Sequence, residues 1–209
     1  KIPYLVSPRG MLVKSLIQRK NHLLKTLWLE LVGRALLENA AAIHMTTELE
    51  AKEAERFGFK LPPLFIVPNG VDEEGSNSNN AKKISPLIQS LLKNEPFLLF
   101  LSRINWKKGL DRLIPALEYV PKARLVIAGN DEENHSPYLE KLARAHHVQD
   151  RITFTGPVYG EEKEALLKNA SVFVLPSYSE NFGLAVLEAM AAGCPVVVTP
   201  EVGLADVVQ

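Results

Sequence analysis

The second half of this 209-residue chain alternates short apolar runs with segments of helical periodicity. The apolar runs have the length of strands, and each helical segment between them is bounded by a small, polar or glycine residue. This alternation is typical of right-handed βαβ units, which build a doubly wound parallel sheet. The predicted strands are Phe97–Ser102, Arg124–Ala128, Ile152–Thr155, Val172–Leu175 and Pro195–Val198, and the predicted helices are Gly109–Tyr119, Ser136–His147, Gly160–Asn169 and Gly183–Ala192.

The residues that follow these strands indicate where a ligand would bind. Arg103 follows the first predicted strand, Gly129 the second, Gly156 the third and Glu180 the fourth. In a doubly wound sheet, ligands bind beyond the carboxyl ends of the strands. We therefore predict that these residues share one rim of the sheet and that this rim is the binding site.

The stretch PSYSENFGLAVLEAMAAGCPVVV at 176–198 is predicted to form a strand end, a polar loop, a helix and a buried strand. Gly183 precedes the helix, so a ligand could approach the backbone closely, and the free N–H groups of the first turn favour an anion. Glu180 and Glu188 supply carboxylates that can accept hydrogen bonds from hydroxyl groups. Together these groups suggest a sugar nucleotide. The plainer alternative is that glutamates near a helix start only favour the helix macrodipole.

The segment SRINWKKG at 102–109 supplies positive charge on the same rim. Arg103 carries a planar guanidinium suited to phosphate oxygens, and Lys108 carries a point charge in the loop that opens the next helix. These cations would stabilise the charge that develops on a diphosphate leaving group. The alternative is a solvated basic loop without a ligand.

Composition excludes several other functions. Lys plus Arg equals Asp plus Glu, 24 against 24, so nothing indicates a polyanionic partner such as nucleic acid. The single Cys194 excludes a disulfide within the chain and fits a reducing, cytoplasmic compartment. No metal-ligand spacing is present, and no apolar run is long enough to span a membrane. Because the chain begins at Lys1 without a methionine, we expect a piece of a longer protein.

The first ninety residues are predicted to be partly helical. Lys14–Asn39 reads as one or two long helices, and Thr47 with Glu50 has the spacing of a capping box. We expect most of the helical apolar residues to be buried, with part of their surface exposed or covered by another chain. These residues are Val13, Leu16, Ile17, Leu23, Leu24, Leu27, Leu31 and Leu36.

A polar stretch interrupts the chain between its two halves. Glu73–Lys83 is rich in Gly, Ser and Asn, which predicts a mobile linker, and Pro86–Lys93 is predicted to form a short helix after it. The predicted organisation is therefore a first domain at 1–71, a linker at 72–85 and a second domain at 86–209.

These motifs resemble a known family. PSYSENFGL at 176–184 and EAMAAGCPVV at 188–197 resemble the donor-binding signature of the retaining GT-B glycosyltransferases of family four, the glycosyl transferases group 1. SRINWKKG and ITFTGPVYG, at 152–160, match two further loops of that family. SPRGML at 7–12 resembles part of its acceptor domain, so the resemblance covers almost the whole chain.

The resemblance implies a GT-B-like α/β fold, with a Rossmann-type parallel-sheet donor domain and a partial acceptor domain. It also assigns roles to residues. Arg103 and Lys108 would stabilise the departing diphosphate, and Glu180 would face the donor sugar, so these three are the predicted catalytic residues. The remaining predicted residues bind the donor. Gly129, after the second strand, would allow close approach of the nucleotide, and the backbone of Val158 would face the base. The amides of Asn181, Phe182, Gly183 and Leu184 would hold the diphosphate, and Glu188 would hold the ribose.

The implied activity is that of a hexosyltransferase, which moves a sugar from a nucleotide-diphosphate donor to an acceptor hydroxyl with retention, without a metal or a cofactor. A polysaccharide pathway is expected, and association of the intact enzyme with a membrane surface stays open. We expect this piece to be inactive alone, since the family's acceptor-domain histidine and glycine-rich loop have no match here. The alternatives are a donor-binding or assembly module without its own activity, or a phosphorylase or nucleotide-sugar epimerase of the same fold.

Overall fold

A computed structural model describes residues 2–18, 21–71, 84–93 and 96–208. The chain forms two compact units, Lys1–Gly70 and Val71–Gln209. The predicted linker Glu73–Lys83 lies outside the described residues. The predicted division at 71 and 85 therefore stays a prediction.

The described part of the first unit contains a three-stranded parallel sheet in the order β1-β2-β3. Its strands are β1 (Leu5–Val6), β2 (Ala42–Met45) and β3 (Leu64–Ile66). The described helical elements between β1 and β2 are α1 (Lys14–Ile17), α2 (His22–Trp28), a π-helical turn (Leu29–Gly33) and α3 (Arg34–Glu38). Helix α4 (Glu48–Glu55) lies between β2 and β3 in the chain.

More of the helical apolar residues are exposed than predicted, although some exposure was expected, and the side chain of Leu16 lies outside the described residues. The side chains of Leu23, Leu24, Leu27, Leu31 and Leu36 are exposed. The residues that face the core are instead spaced by four positions, and they are Leu29, Gly33 and Leu37. Residues four apart share one helical face, and only that face packs on the small sheet, so the apolar residues on the other faces stay in solvent.

The capping box predicted at the start of α4 is confirmed on the Thr47 side, since the Glu50 N–H donates to Thr47 Oγ1 over 3.1 Å. The Glu50 carboxylate is buried and has a further structural role. It accepts hydrogen bonds from the Gly10 N–H at 2.7 Å and from the N–H and hydroxyl of Thr46 at 2.8 and 2.9 Å. Buried carboxylates need such donors, and these tie the turn after β1 to α4.

The described part of the second unit contains a five-stranded parallel sheet in the order β6-β5-β4-β7-β8. Its strands are β4 (Phe97–Leu101), β5 (Arg124–Ala128), β6 (Ile152–Gly156), β7 (Val172–Leu175) and β8 (Val196–Val198). Its helices are α5 (Pro86–Lys93), α6 (Leu110–Ala116), α7 (Ser136–Ala145), α8 (Gly160–Asn169) and α9 (Leu184–Ala191). The predicted α/β class and the predicted strands and helices are therefore confirmed.

Some helices and strands begin or end at other residues than predicted, for local reasons. Helix α6 is shorter than predicted because the chain after Pro115 tightens into a 3₁₀ turn at Leu117–Tyr119. Strand β8 begins at Val196, one residue late, because Pro195 has no N–H to donate to the sheet. The helix predicted to end at His147 stops at Ala145, and His147 has a positive φ of 53°.

The order of the strands positions the site. From β4 the chain proceeds to β5 and β6 on one side, and then returns to β7 on the other side of β4. This reversal is a topological switch point, and ligands of open α/β sheets bind at such a point beyond the carboxyl ends of the strands. Strands β4 and β5 are almost wholly buried, as expected for the centre of a sheet covered on both faces. None of the described helices has the length and hydrophobicity needed to cross a membrane.

Candidate functional site

The segments that follow β4, β5 and β6 are held together by backbone hydrogen bonds past the ends of the strands. The Ser102 N–H donates to Ala128 O over 3.1 Å, and the Gly129 N–H donates to Gly156 O over 3.0 Å. Since Glu180 follows β7, the next strand in this parallel sheet, the predicted common rim is confirmed.

The backbone packing at the rim leaves no room for a side chain at Gly129. A Cβ atom at this position would lie 1.8 Å from the Ser102 carbonyl oxygen, so no side chain fits between the ends of β4 and β5. Gly129 therefore has a structural reason to be glycine. Its predicted approach to a nucleotide stays a prediction.

The loop that carries Lys108 is a short 3₁₀ turn, Trp106–Lys108, capped by Asn105. The Asn105 side chain accepts a hydrogen bond from the Lys107 N–H at 3.1 Å. Gly109 follows with a positive φ of 71°, and a Cβ atom there would lie 1.9 Å from the Pro176 carbonyl oxygen. The loops after β4 and β7 are thus packed backbone against backbone.

Tyr178 adds further contacts between these two loops. Its N–H donates to Lys107 O over 2.7 Å, and its hydroxyl donates to Asp111 Oδ2 over 2.9 Å. The Arg112 guanidinium lies 3.6 Å from the centre of the Tyr178 ring. Tyr178 therefore fixes the distance between the loop of Lys108 and the loop of Glu180. Its position in the motif did not reveal this role, because its partners lie far away in the sequence.

Lys108 and Glu180 form an ion pair between these loops. Only 11% of the Lys108 side chain and 19% of the Glu180 side chain are exposed. The backbone of Glu180 is also held, since its N–H donates to Glu201 O over 3.0 Å and its carbonyl accepts from the Gly203 N–H over 2.9 Å. Two of the three predicted catalytic residues are therefore direct partners, whereas the sequence had suggested separate groups aimed at a ligand.

Arg103 is placed differently from Lys108. Its side chain is exposed on the rim, and it has no hydrogen bond or ion pair with any residue that the structure describes. A guanidinium in this state is available to an incoming anion, and its planar donors suit phosphate oxygens.

The start of α9 offers N–H groups. Gly183 caps the helix with φ 94° and ψ 53°, and its carbonyl accepts from the N–H groups of Val186 and Leu187. The N–H groups of Leu184 and Ala185 have no acceptor among the described residues. Such free amides at the positive end of a helix are suited to an anion.

The remaining predicted donor-binding residues are divided between the rim and the core. Asn181 is half-buried, whereas the side chains of Phe182 and Val158 are buried in the hydrophobic core. Phe182 and Val158 could therefore reach a ligand only through their backbone, which is the kind of contact that was predicted for both.

Glu188 is engaged by a residue that the sequence pattern does not mark. The Lys163 ammonium on α8 lies 2.9 Å from Glu188 Oε1 on α9. The described residues contain no group of three or more His, Cys, Asp or Glu side chains arranged to hold a metal ion.

Comparison with known proteins shows which family the sequence matches. The family model of the glycosyl transferases group 1 matches residues 82–209. An uncharacterized glycosyltransferase of Methanocaldococcus jannaschii is 40% identical over 119 residues, which are 56% of this chain and 30% of that protein. The D-inositol 3-phosphate glycosyltransferase of Xylanimonas cellulosilytica is 34% identical over 176 residues, 80% of this chain and 42% of that protein. The chain thus spans less than half the length of these curated relatives.

Solved structures share the fold. Sucrose-phosphate synthase from Thermosynechococcus elongatus superposes with a TM-score of 0.77 at 26% identity, over 100% of this chain and 53% of that one. Anabaena HepE, solved in complex with UDP-glucose, superposes with a TM-score of 0.79 at 20% identity, over 99% of this chain and 56% of that one. The predicted GT-B-like architecture is therefore confirmed.

Proposed function

The chain belongs to the glycosyl transferases group 1 family, and from this we propose that its second unit binds a nucleotide-diphosphate sugar. The whole protein would transfer the sugar from that donor to an acceptor hydroxyl. The observation that carries the proposal is the chemistry gathered at the switch point, where the segments after β4 and β7 supply cations, free amides and carboxylates. A sugar nucleotide needs all three kinds of group.

The diphosphate would bind to the rim cations and to the start of α9. Arg103 has no partner among the described residues, and the N–H groups of Leu184 and Ala185 are free there as well. We propose that these groups, with the backbone from Asn181 to Leu184, hold the phosphate oxygens. Fixed donors of this kind stabilise the charge that grows on the diphosphate as the bond to the sugar breaks.

The Lys108–Glu180 pair would act at the reacting end of the donor. Lys108 is held beside the rim by Glu180, so a phosphate oxygen would share this ammonium with the carboxylate. Glu180 would then accept hydrogen bonds from hydroxyls of the donor sugar. We propose that the transfer proceeds with retention and without a metal or a cofactor, in the cytoplasm and in the assembly of a polysaccharide or another glycan.

The nucleoside would lie beyond the carboxyl ends of β5 and β6 and against α9. Glu188 would accept hydrogen bonds from the ribose hydroxyls, the backbone near Val158 would face the base, and Gly129 would allow close approach. That HepE, of the same fold, was solved with UDP-glucose supports a nucleotide-sugar ligand. Experiment must decide whether the base of the donor is uracil, guanine or adenine.

Calorimetric titration of the chain with UDP, GDP and ADP tests the proposal. One nucleotide should bind to the wild-type chain, and Glu188→Ala should weaken its binding by about tenfold or more. Glu164→Ala is the matched control, because Glu164 pairs with Lys168 on the surface of α8. Binding should persist in EDTA. If the wild-type chain binds none of the three nucleotides, the proposal is wrong.

We further propose that the chain alone binds the donor without transferring the sugar. Its share of the length of its curated relatives, 30% and 42%, supports this view. Incubating the chain with the donor that calorimetry selects and with simple sugar acceptors tests it, because a glycosylated product would show that the chain is sufficient.

A further inference from the structure

The ion pair between Lys163 and Glu188 joins two helices that follow different strands. Lys163 lies in the first turn of α8, directly after the loop that contains Val158, and Glu188 lies in the middle of α9. The residues are 25 positions apart, and their charged atoms are 2.9 Å apart. The Lys163 side chain is 32% exposed and the Glu188 side chain 24% exposed, so both are partly shielded from water.

This pair differs from the other ion pair of α8. Lys168 and Glu164 lie four positions apart on one helix, and their charged atoms are 3.7 Å apart with the Lys168 side chain 64% exposed. Such a pair forms wherever the helix forms, and it orients nothing else. The Lys163–Glu188 pair requires both side chains to extend across the space between α8 and α9. It therefore fixes the direction of the Glu188 carboxylate.

The ion pair also gives the two oxygens of the Glu188 carboxylate different surroundings. Oε1 is occupied by the Lys163 ammonium, whereas Oε2 accepts no hydrogen bond from the residues that the structure describes. A glutamate has several rotatable bonds, and holding one oxygen restricts where the other one points. The free oxygen is thus presented to a ligand in one orientation.

We propose that Lys163 is a positioning residue for the nucleoside half of the donor. It holds Glu188 so that Oε2 is presented to the vicinal hydroxyls of the ribose. This inference rests on the proposed function, in which Glu188 binds the ribose. It adds that recognition of the ribose depends on a residue of α8, which follows the loop that faces the base.

Calorimetry with matched nucleotides tests the inference. The nucleoside diphosphate that binds the wild-type chain is compared with its 2′-deoxy form, for wild type, Lys163→Met, Lys163→Arg and the control Lys168→Met. Lys163→Met should weaken binding of the ribonucleotide about fivefold to tenfold and change binding of the deoxynucleotide by less than about twofold. Lys163→Arg should restore most of the affinity, and Lys168→Met should change neither.

A double variant separates positioning from direct contact. If Lys163 acts through Glu188, then Lys163→Met added to Glu188→Gln should cause little further loss of affinity. Equal losses for both nucleotides, or an additive loss in the double variant, would show that Lys163 contacts the nucleotide elsewhere and would overturn the inference alone. Unchanged binding in Lys163→Met would overturn it as well. If the wild-type chain bound no nucleotide, the proposed function itself would fail. Thermal unfolding of each variant shows that the compared chains are folded.

Discussion

The ammonium of Lys108 and the carboxylate of Glu180 form an ion pair between the loops after β4 and β7, although they are 72 positions apart in the sequence. Both side chains are largely buried. Their backbones are held in place by neighbouring contacts of Gly109, Pro176 and Tyr178. A substitution in this pair should therefore change both the stability of the rim and the reaction proposed there.

Replacing Lys108 by methionine should affect both stability and activity. The variant leaves the Glu180 carboxylate shielded from water without its hydrogen-bonding cation, so we expect a loss of about 1–3 kcal/mol in the free energy of unfolding. Replacing both residues, Lys108→Met with Glu180→Gln, should recover part of that loss. Urea unfolding measures these differences, and a single variant as stable as wild type would contradict them.

In the intact enzyme, Lys108→Ala should lower donor turnover by about 10²–10³-fold, because a group that stabilises the leaving diphosphate is lost. Steady-state kinetics with a saturating acceptor measures this effect. Lys107→Ala is the control in the same loop, since the Lys107 side chain has no predicted role in the reaction. Turnover close to the wild-type rate would remove Lys108 from the mechanism.

Gly109→Ala should destabilise the chain more than Gly193→Ala. The two glycines have nearly the same positive φ, 71° and 75°, so a Cβ atom costs about the same backbone strain at each position. They differ in space, because the atom would lie 1.9 Å from Pro176 O at Gly109 and in open space at Gly193. The difference between the two midpoints of thermal unfolding isolates the clash. Equal midpoints would show that the loops can separate freely.

Tyr178→Phe should weaken the contact between the two rim loops while it keeps the ring beneath Arg112. The variant removes the hydrogen bond from the hydroxyl to Asp111 Oδ2, which contributes about 1 kcal/mol. We expect a loss of that size in the free energy of unfolding, and weaker nucleotide binding. Tyr159→Phe is the control, because the Tyr159 side chain is exposed. A change no larger than that of the control would contradict the prediction.

The Cys194 thiol should react slowly in the folded chain. Burial raises the pKa of this thiol, so the thiolate fraction at neutral pH is smaller than in an exposed cysteine. Labelling with a thiol reagent should be slow in buffer and complete in urea, and it should accelerate as the pH rises. Because the sequence contains one cysteine, the signal has a single source. Rapid stoichiometric labelling of the native chain would contradict the burial.

Glu50→Ala should destabilise the first unit. The variant removes the acceptor of the Gly10 N–H and of the Thr46 N–H and hydroxyl, and it leaves buried donors unsatisfied. We expect a loss of about 3 kcal/mol in the free energy of unfolding. Glu48→Ala, an exposed position in the same helical turn, is the control. Far-ultraviolet circular dichroism during urea unfolding measures both variants, and equal curves would contradict the role given to Glu50.

Much of the second unit could be predicted because its signals are local. Strands such as Arg124–Ala128 and Val172–Leu175 are runs of apolar residues at strand length, and their boundaries match the structure. The shared rim followed from the parallel arrangement, which brings the carboxyl ends of neighbouring strands together. The helical stretch before β2 was less predictable, because apolar residues occupy several of its faces and periodicity does not say which face packs.

Local spacing in the sequence was enough to predict the α/β class, the succession of strands and helices in the second unit and the residue types at the rim, since these depend on a few neighbouring residues. By contrast, the contacts of Lys108 with Glu180, of Lys163 with Glu188 and of Tyr178 with the two loops are visible only in the folded chain. Those contacts connect residues 25 to 72 positions apart, and they form only when the strand order and helix packing bring the side chains together. The direction in which a charged side chain points is set by that packing and leaves no periodic pattern in the sequence.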